Sequence, residues 1–197
     1  MLALIGCGSK AVLPKSMLVK PDQALDSSDK LPARLVQLHS DSISEGKCQD
    51  LNGQLAVAPA TTWKVDNYTN LYAIPCGDWA SVQTWKIYAE FNEPKGDGHG
   101  LFRRLFFTAL DWSGNFVATD ILYNWKWNDQ AHELDMIFLY NGRQDCGSSY
   151  EYIWDPANFE FTLKSASQKT TCDGNMSAWP QIPLPKATPP PEQQPTG

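Results

Sequence analysis

The sequence predicts a mostly β domain: an antiparallel meander of seven to eight strands forming a barrel or a sandwich, with one short N-terminal helix and two disulfides. Three observations carry this. After residue 50, apolar residues recur with a period of two, or in short runs broken by turn signals, as strands do. Rings are abundant (eight Trp, seven Tyr, eight Phe), and aromatic side chains suit pleated, half-buried surfaces. Four cysteines lie inside the body of the chain without the CxxC spacing of a zinc site, so they read as staples rather than metal ligands.

The helix comes first. Pro32 suits a first helical turn, Leu31, Leu35 and Leu38 fall on one face, and the pattern fades before Gly46. Strands follow. Gln54 to Ala58 is a short apolar run, and Asn70 to Pro75 is another. Val82 to Phe91 alternates, with Val82, Thr84, Lys86, Tyr88 and Glu90 on one side and Gln83, Trp85, Ile87, Ala89 and Phe91 on the other. This is the period of a half-buried strand. Leu101 to Leu110 is a further strand, and the turn Trp112-Ser113-Gly114-Asn115 leads into Phe116 to Trp125. Glu133 to Tyr140 runs up to Asn141-Gly142, a tight-turn signal. Ser149 to Trp154 and Asn158 to Leu163 form a closing hairpin across Asp155-Pro156-Ala157. Edges of such a sheet must be paired or covered, hence the barrel or sandwich.

The flanks differ in composition from this body. Residues 181–197 are rich in Pro, Gln and Thr and cannot bury enough apolar surface to offset ordering, so they read as a disordered tail. Residues 8–30 are mostly polar and suit a flexible tether. Between them, Leu31 to Pro180 leaves about 150 residues, one domain of ordinary size. The fifth cysteine, Cys7, closes Leu4-Ile5-Gly6-Cys7, which reads as a lipoprotein cleavage site, with residues 1–7 a truncated signal. The apolar stretch Leu2 to Ile5 is shorter than the ~7–15 residues of a signal core, and no basic residue precedes it. Either translation starts upstream of Met1 or Cys7 stands there by chance. The odd cysteine count and the polar stretch behind it favour lipidation at Cys7, hence export to the periplasm. Gly8 after the cysteine resembles the outer-membrane class of enterobacterial lipoproteins, and no segment reaches the ~18–20 apolar residues that span a bilayer.

The net charge of −6 and pI near 5.0 argue against nucleic acid, since the longest basic run is Arg103-Arg104. Four inner cysteines allow three pairings. Spacing favours Cys48–Cys76 and Cys146–Cys172, because each closes a local loop of roughly 25 residues, worth about 3 kcal/mol in the chain-entropy account.

Chemistry is sparse. His39 sits near the helix end, where an exposed histidine is common; His99 lies in a glycine-rich loop; and His132-Glu133 opens a strand without the helical second histidine of a zinc protease. There is no Gly-x-Ser-x-Gly elbow and no phosphate-binding loop. The carboxylates Glu90, Glu93, Asp97, Asp120, Asp129, Glu133, Asp135, Glu151 and Asp155 are numerous enough for some to meet, but nothing in their spacing selects a pair. Most rings belong to core and cross-strand packing. Trp63, Trp79, Trp112, Trp125 and Trp127 fall at or near strand ends, where an exposed row could form a contact surface; Trp79, Trp112, Trp125 and Trp127 are the candidates, led by Trp125 and Trp127, which share a face of an extended segment.

Several motifs together resemble a known family. They are Leu31-Pro32 opening a helix, Cys48 with Asp50, and Leu71-Tyr72-Ala73-Ile74-Pro75-Cys76. Asp145-Cys146-Gly147 follows, then Tyr150-Glu151-Tyr152-Ile153-Trp154-Asp155, Phe159 to Leu163, Cys172 and Trp179-Pro180. This arrangement is similar to the latter half of the proteobacterial periplasmic domain-of-unknown-function family 1176 (DUF1176), over roughly residues 31–180. The resemblance implies an exported location and a fold, and carries no activity.

The residues therefore lead to an expectation of a non-enzymatic envelope lipoprotein, held to the membrane through Cys7, without cofactor or metal, binding a periplasmic or cell-wall protein or glycan. A lysozyme-inhibitor-like role is the alternative by analogy, and a carboxylate-based hydrolase of envelope glycans the next.

Overall fold

A computed structural model describes residues 31–46, 48, 60–79, 82–91, 101–142 and 144–185. The strand expected at Gln54 to Ala58, His99 and the first 30 residues with Cys7 lie outside this set.

Helix α1 spans Ala33–Ser44 with Pro32 at its N-cap, and Gly46 follows its end with φ +69°, a left-handed conformation that glycine adopts freely. Leu31 and Leu35 are buried against Tyr72, Ile74 and Tyr88 of the neighbouring sheet. A disulfide joins Cys48, just past the helix, to Cys76, and a second joins Cys146 to Cys172. Both are the pairings that spacing favours.

Eleven strand segments follow among the described residues, more than the seven or eight expected, because two long runs break and two short strands carried no strong pattern. β1 (Thr61–Lys64), β2 (Thr69–Trp79), β3 (Val82–Phe91) and β4 (Leu101–Arg104) form an antiparallel sheet. β5 (Phe107–Leu110) and β6 (Phe116–Thr119) pair only with each other. β7 (Leu122–Tyr123) returns to β3, and β8 (Lys126–Asn128), β9 (Glu133–Leu139), β10 (Gly147–Asp155) and β11 (Glu160–Lys169) form a four-stranded antiparallel sheet. The sheets are open in strand order, which suits a sandwich and not a closed barrel.

The breaks have physical causes. The run Leu101 to Leu110 leaves its sheet at Leu105-Phe106, where Leu105 turns into the core and Phe106 out to solvent. The run from Phe116 breaks at Asp120-Ile121, because the Asp120 carboxylate turns in to meet a buried lysine. The β5–β6 hairpin is thus an excursion between two visits to the edge of β3: β4 pairs with its end (88–91) and β7 with its start (84–85).

β3 corrects the half-buried reading. Residues 84–89 are buried on both faces, since Trp85, Ile87 and Ala89 face the main core while Lys86 and Tyr88 are covered on the other side. A period of two shows which residues share a face but not whether a helix lies over it. The main core gathers side chains from all three sheets, with Phe107 from the hairpin against Tyr152 and Phe161. The body also runs slightly past Pro180. Gln181 bridges Ser167, the Ile182 amide donates to the Ala166 carbonyl, and Ile182 packs on the core, so the first residues assigned to the tail belong to the domain.

Candidate functional site: an aromatic cleft

The β5–β6 hairpin stands off the four-stranded sheet and leaves a half-open cleft of about 400 Å³ between them, within the range of small-molecule sites. Two tyrosines of β10 hold the hairpin in place. The Leu110 amide donates to the Tyr150 hydroxyl at 3.0 Å, and the Tyr152 hydroxyl donates to the Thr108 carbonyl at 2.9 Å. Burial raises the pKa of both phenols, so they stay protonated in this role.

The hairpin turn presents Trp112. Asp111 Oδ1 accepts the amides of Ser113 and Asn115 at 2.8 and 2.9 Å, and Gly114 supplies the left-handed step at φ +80°. These bonds to the ionised form hold the Asp111 carboxyl below its ordinary pKa, the Asn115 amide contributing most. The turn closes locally, and its tryptophan stands 78% exposed at the mouth of the cleft. The Trp112 indole meets Phe138 edge to face at 5.5 Å, and Phe138 in turn touches Tyr123 (4.7 Å) and Tyr140 (5.8 Å). Gln168 of β11 closes the far wall, its side-chain amide donating to the Tyr140 hydroxyl at 2.6 Å. Near that end the Cys146–Cys172 disulfide ties the start of β10 to the segment that follows β11.

A second concentration of polar groups lies beneath α1. Lys86, fully buried, reaches Asp120 at 2.5 Å, and Arg104 reaches the same carboxylate at 3.0 Å. His39 Nδ1 lies 3.0 Å from the Tyr88 hydroxyl, which Ser42 also approaches at 3.5 Å. Burial and then the Lys86 charge lower the His39 pKa to about 4, against a hydrogen bond to the Pro75 carbonyl that works the other way. Burial likewise pushes Tyr88 up to about 12. His39 is thus a buried, neutral, hydrogen-bonded residue, which corrects the exposed helix-end reading.

This sequence matches the family described as "Protein of unknown function (DUF1176)" over residues 3–185. The chain belongs to the DUF1176 family. The match runs further at both ends than the 31–180 that the motifs carry. No curated protein and no solved structure matches it.

Within this DUF1176 domain the four tryptophans expected to form a surface scatter. Trp112 lines the cleft. Trp125 is a correction: it is 1% exposed, stacked on Trp63 at 5.2 Å and edge-on to Trp85 at 5.8 Å, because the chain kinks at Asn124 (φ +40°) and turns that ring into the core. Trp127 is half-buried against Trp63 and Phe161, so the face it was expected to share with Trp125 does not form. Trp79 ends β2, and its side chain lies outside the described set.

Of the carboxylates, Asp135 and Glu151 stand directly opposite on β9 and β10, on the face turned away from the core. Burial first, and Glu151 second, raise the Asp135 pKa. None of the seven expected carboxylates that fall among the described residues lines the cleft, Glu93 and Asp97 lying outside that set, and the described carboxylate in its lining is Asp111. Asp145, Cys146 and Cys172 form the one grouping of metal-ligating residue types among the described residues. Its two sulfurs are spent in a disulfide, and Asp145 accepts from Asn141 and the Gly174 amide. Phe138, Tyr140 and Gln168 escaped the sequence reading. Alternation along β9 puts Met136, Phe138 and Tyr140 on one face, which was the available signal for two of them.

Proposed function

We propose that this chain is a non-enzymatic ligand-binding lipoprotein of the bacterial cell envelope, and that the aromatic cleft is where it binds. One observation carries the reading: an exposed indole is held by a closed turn over a cleft of rings whose only carboxylate among the described residues is committed to that turn. A monomeric domain gains nothing in stability from displaying Trp112 in this way, whereas a binding surface does. General acid–base or nucleophilic chemistry would want a poised carboxylate, histidine or thiol facing the cavity, and among the described residues the cleft lining offers none beyond Asp111.

Separate features support the location. Two disulfides suit an oxidising compartment, and the Leu4-Ile5-Gly6-Cys7 run supports export with a lipid on Cys7, leaving the domain tethered at the outer membrane of a Gram-negative cell. No helix among the described residues is long and apolar enough to cross a membrane.

Purified Cys7→Ala protein, with the anchor removed, sediments with isolated sacculi or outer-membrane vesicles on this reading, and Trp112→Ala added to it stays in the supernatant. Equal sedimentation of the two proteins overturns the cleft as the binding site. Labelling with radioactive palmitate that persists in the Cys7→Ala protein overturns the anchor.

A further inference from the structure

On the reading that the cleft is the ligand site, its lining narrows the chemistry of the ligand. No lysine or arginine among the described residues lines it, so a phosphate, sulfate or carboxylate entering would lose water and find no cation among them. Asp111 offers little to an ammonium group, because its oxygens already accept from Ser113, Asn115 and the Asn115 side chain. The ligand is therefore uncharged. It is not plain hydrocarbon either. The Tyr140 hydroxyl accepts from Gln168, which leaves the phenolic proton and the Gln168 Oε1 without a partner among the described residues. An acyl chain laid over that pair would strip them of water and return nothing.

A peptide adding itself as a strand to β11 would find the edge at this wall taken. Gln168 donates its backbone amide to the Pro180 carbonyl, Ser167 pairs with Gln181, and Ile182 donates to Ala166. What remains is a molecule with flat apolar faces and a rim of hydroxyls or amides, which describes a pyranose: axial C–H groups on its faces, hydroxyls around its edge. Aromatic faces serve the first and a phenol–carboxamide pair the second.

We infer that the cleft binds an uncharged oligosaccharide, with one sugar ring stacked on the Trp112 indole and its hydroxyls hydrogen-bonded by Tyr140 and Gln168. The stacking platform sits on the hairpin and the polar pair on the sheet, so the site spans two elements that the Tyr150 and Tyr152 hydroxyls hold in register.

The experiment is a glycan array probed with full-length Cys7→Ala protein, followed by titration of the best uncharged glycan and of a proline-rich peptide with ¹⁵N-labelled protein. The inference expects retention on uncharged glycans, with shifts at the Trp112 indole and the Gln168 side-chain amide. Trp112→Ala and Gln168→Leu should each weaken binding at least tenfold, with both melting temperatures within about 2 °C of the parent. Retention only on anionic glycans, or on none, overturns it, as does a peptide that moves Trp112 when no sugar does. In those cases co-sedimentation that still depends on Trp112 keeps the cleft as a binding site and removes only the sugar. Sugar binding that leaves Trp112 unmoved overturns both.

Discussion

Beneath α1, ionisable side chains are buried and answered; across the β5–β6 hairpin, aromatic rings are partnered on one side and open to solvent on the other. Lys86, Asp120, Arg104, His39, Ser42 and Tyr88 would each be costly alone in a low-dielectric seam, and each has a partner within hydrogen-bond or ion-pair reach. That closure is the mark of architecture. The seam sets how α1 docks on the sheet, with the Cys48–Cys76 bridge at its end. In the cleft, Trp112 stands 78% exposed, and the Tyr140–Gln168 pair keeps hydrogen-bonding capacity beyond its mutual bond among the described residues. A perturbed pKa alone would not have separated the two regions, since burial shifts His39 and Tyr88 in the seam and Tyr150 and Tyr152 beside the cleft alike.

Substitutions break this contrast in order of size. Gly147 opens β10 with φ +152°, and a Cβ there would overlap the Phe138 carbonyl oxygen. Gly147→Ala is expected to prevent the β9–β10 register from forming, which circular dichroism and loss of soluble protein would report. Next come Asp120→Ala and Trp125→Ala. The first removes the carboxylate that the buried Lys86 shares with Arg104 and the second empties a core site, each costing about 3–5 kcal/mol in urea unfolding.

Acid affects the seam before it affects the cleft. His39 has a folded pKa near 4 against 6.5 when free, so the unfolded chain binds the extra proton between those values. Its contribution is fully present above pH 6.5 and is lost as pH falls to 4, a change on the order of 3 kcal/mol. His39→Gln should flatten that part of the stability–pH curve, and an unchanged slope would show that another group carries it. The smallest stability effect is the most telling: Trp112→Ala should leave unfolding within about 0.5 kcal/mol while weakening envelope binding, because its ring is mostly in water already.

The cysteine pairing, the helix and most strands were legible because each rests on local pattern: loop length, a leucine stripe, a period of two. What lay beyond the sequence was tertiary. Nothing in Val82 to Phe91 says that α1 will cover Lys86 and Tyr88, and nothing in Trp125-Lys126-Trp127 shows that a left-handed residue at Asn124 turns one ring inward. For the cleft, the turn and Trp112 were readable from Asp-Trp-Ser-Gly-Asn, but its opposite wall comes from Gln168, 56 residues further along, and only the sheet register brings it beside Tyr140. The buried His39 and the exposed Trp112 reverse the usual hydrophobic ordering, so composition ranks both wrongly.

The central claim is that the molecule meets its ligand through the hairpin tryptophan and not through the tryptophan core. Protein labelled with 5-fluorotryptophan gives one ¹⁹F resonance for each of its eight tryptophans, with Trp112 and Trp125 assigned by substitution. On titration with outer-membrane vesicles and with solubilised sacculus glycan strands, the Trp112 resonance should shift or broaden while Trp125 holds its position. A Trp112 resonance that stays fixed in both titrations while the protein binds contradicts the claim.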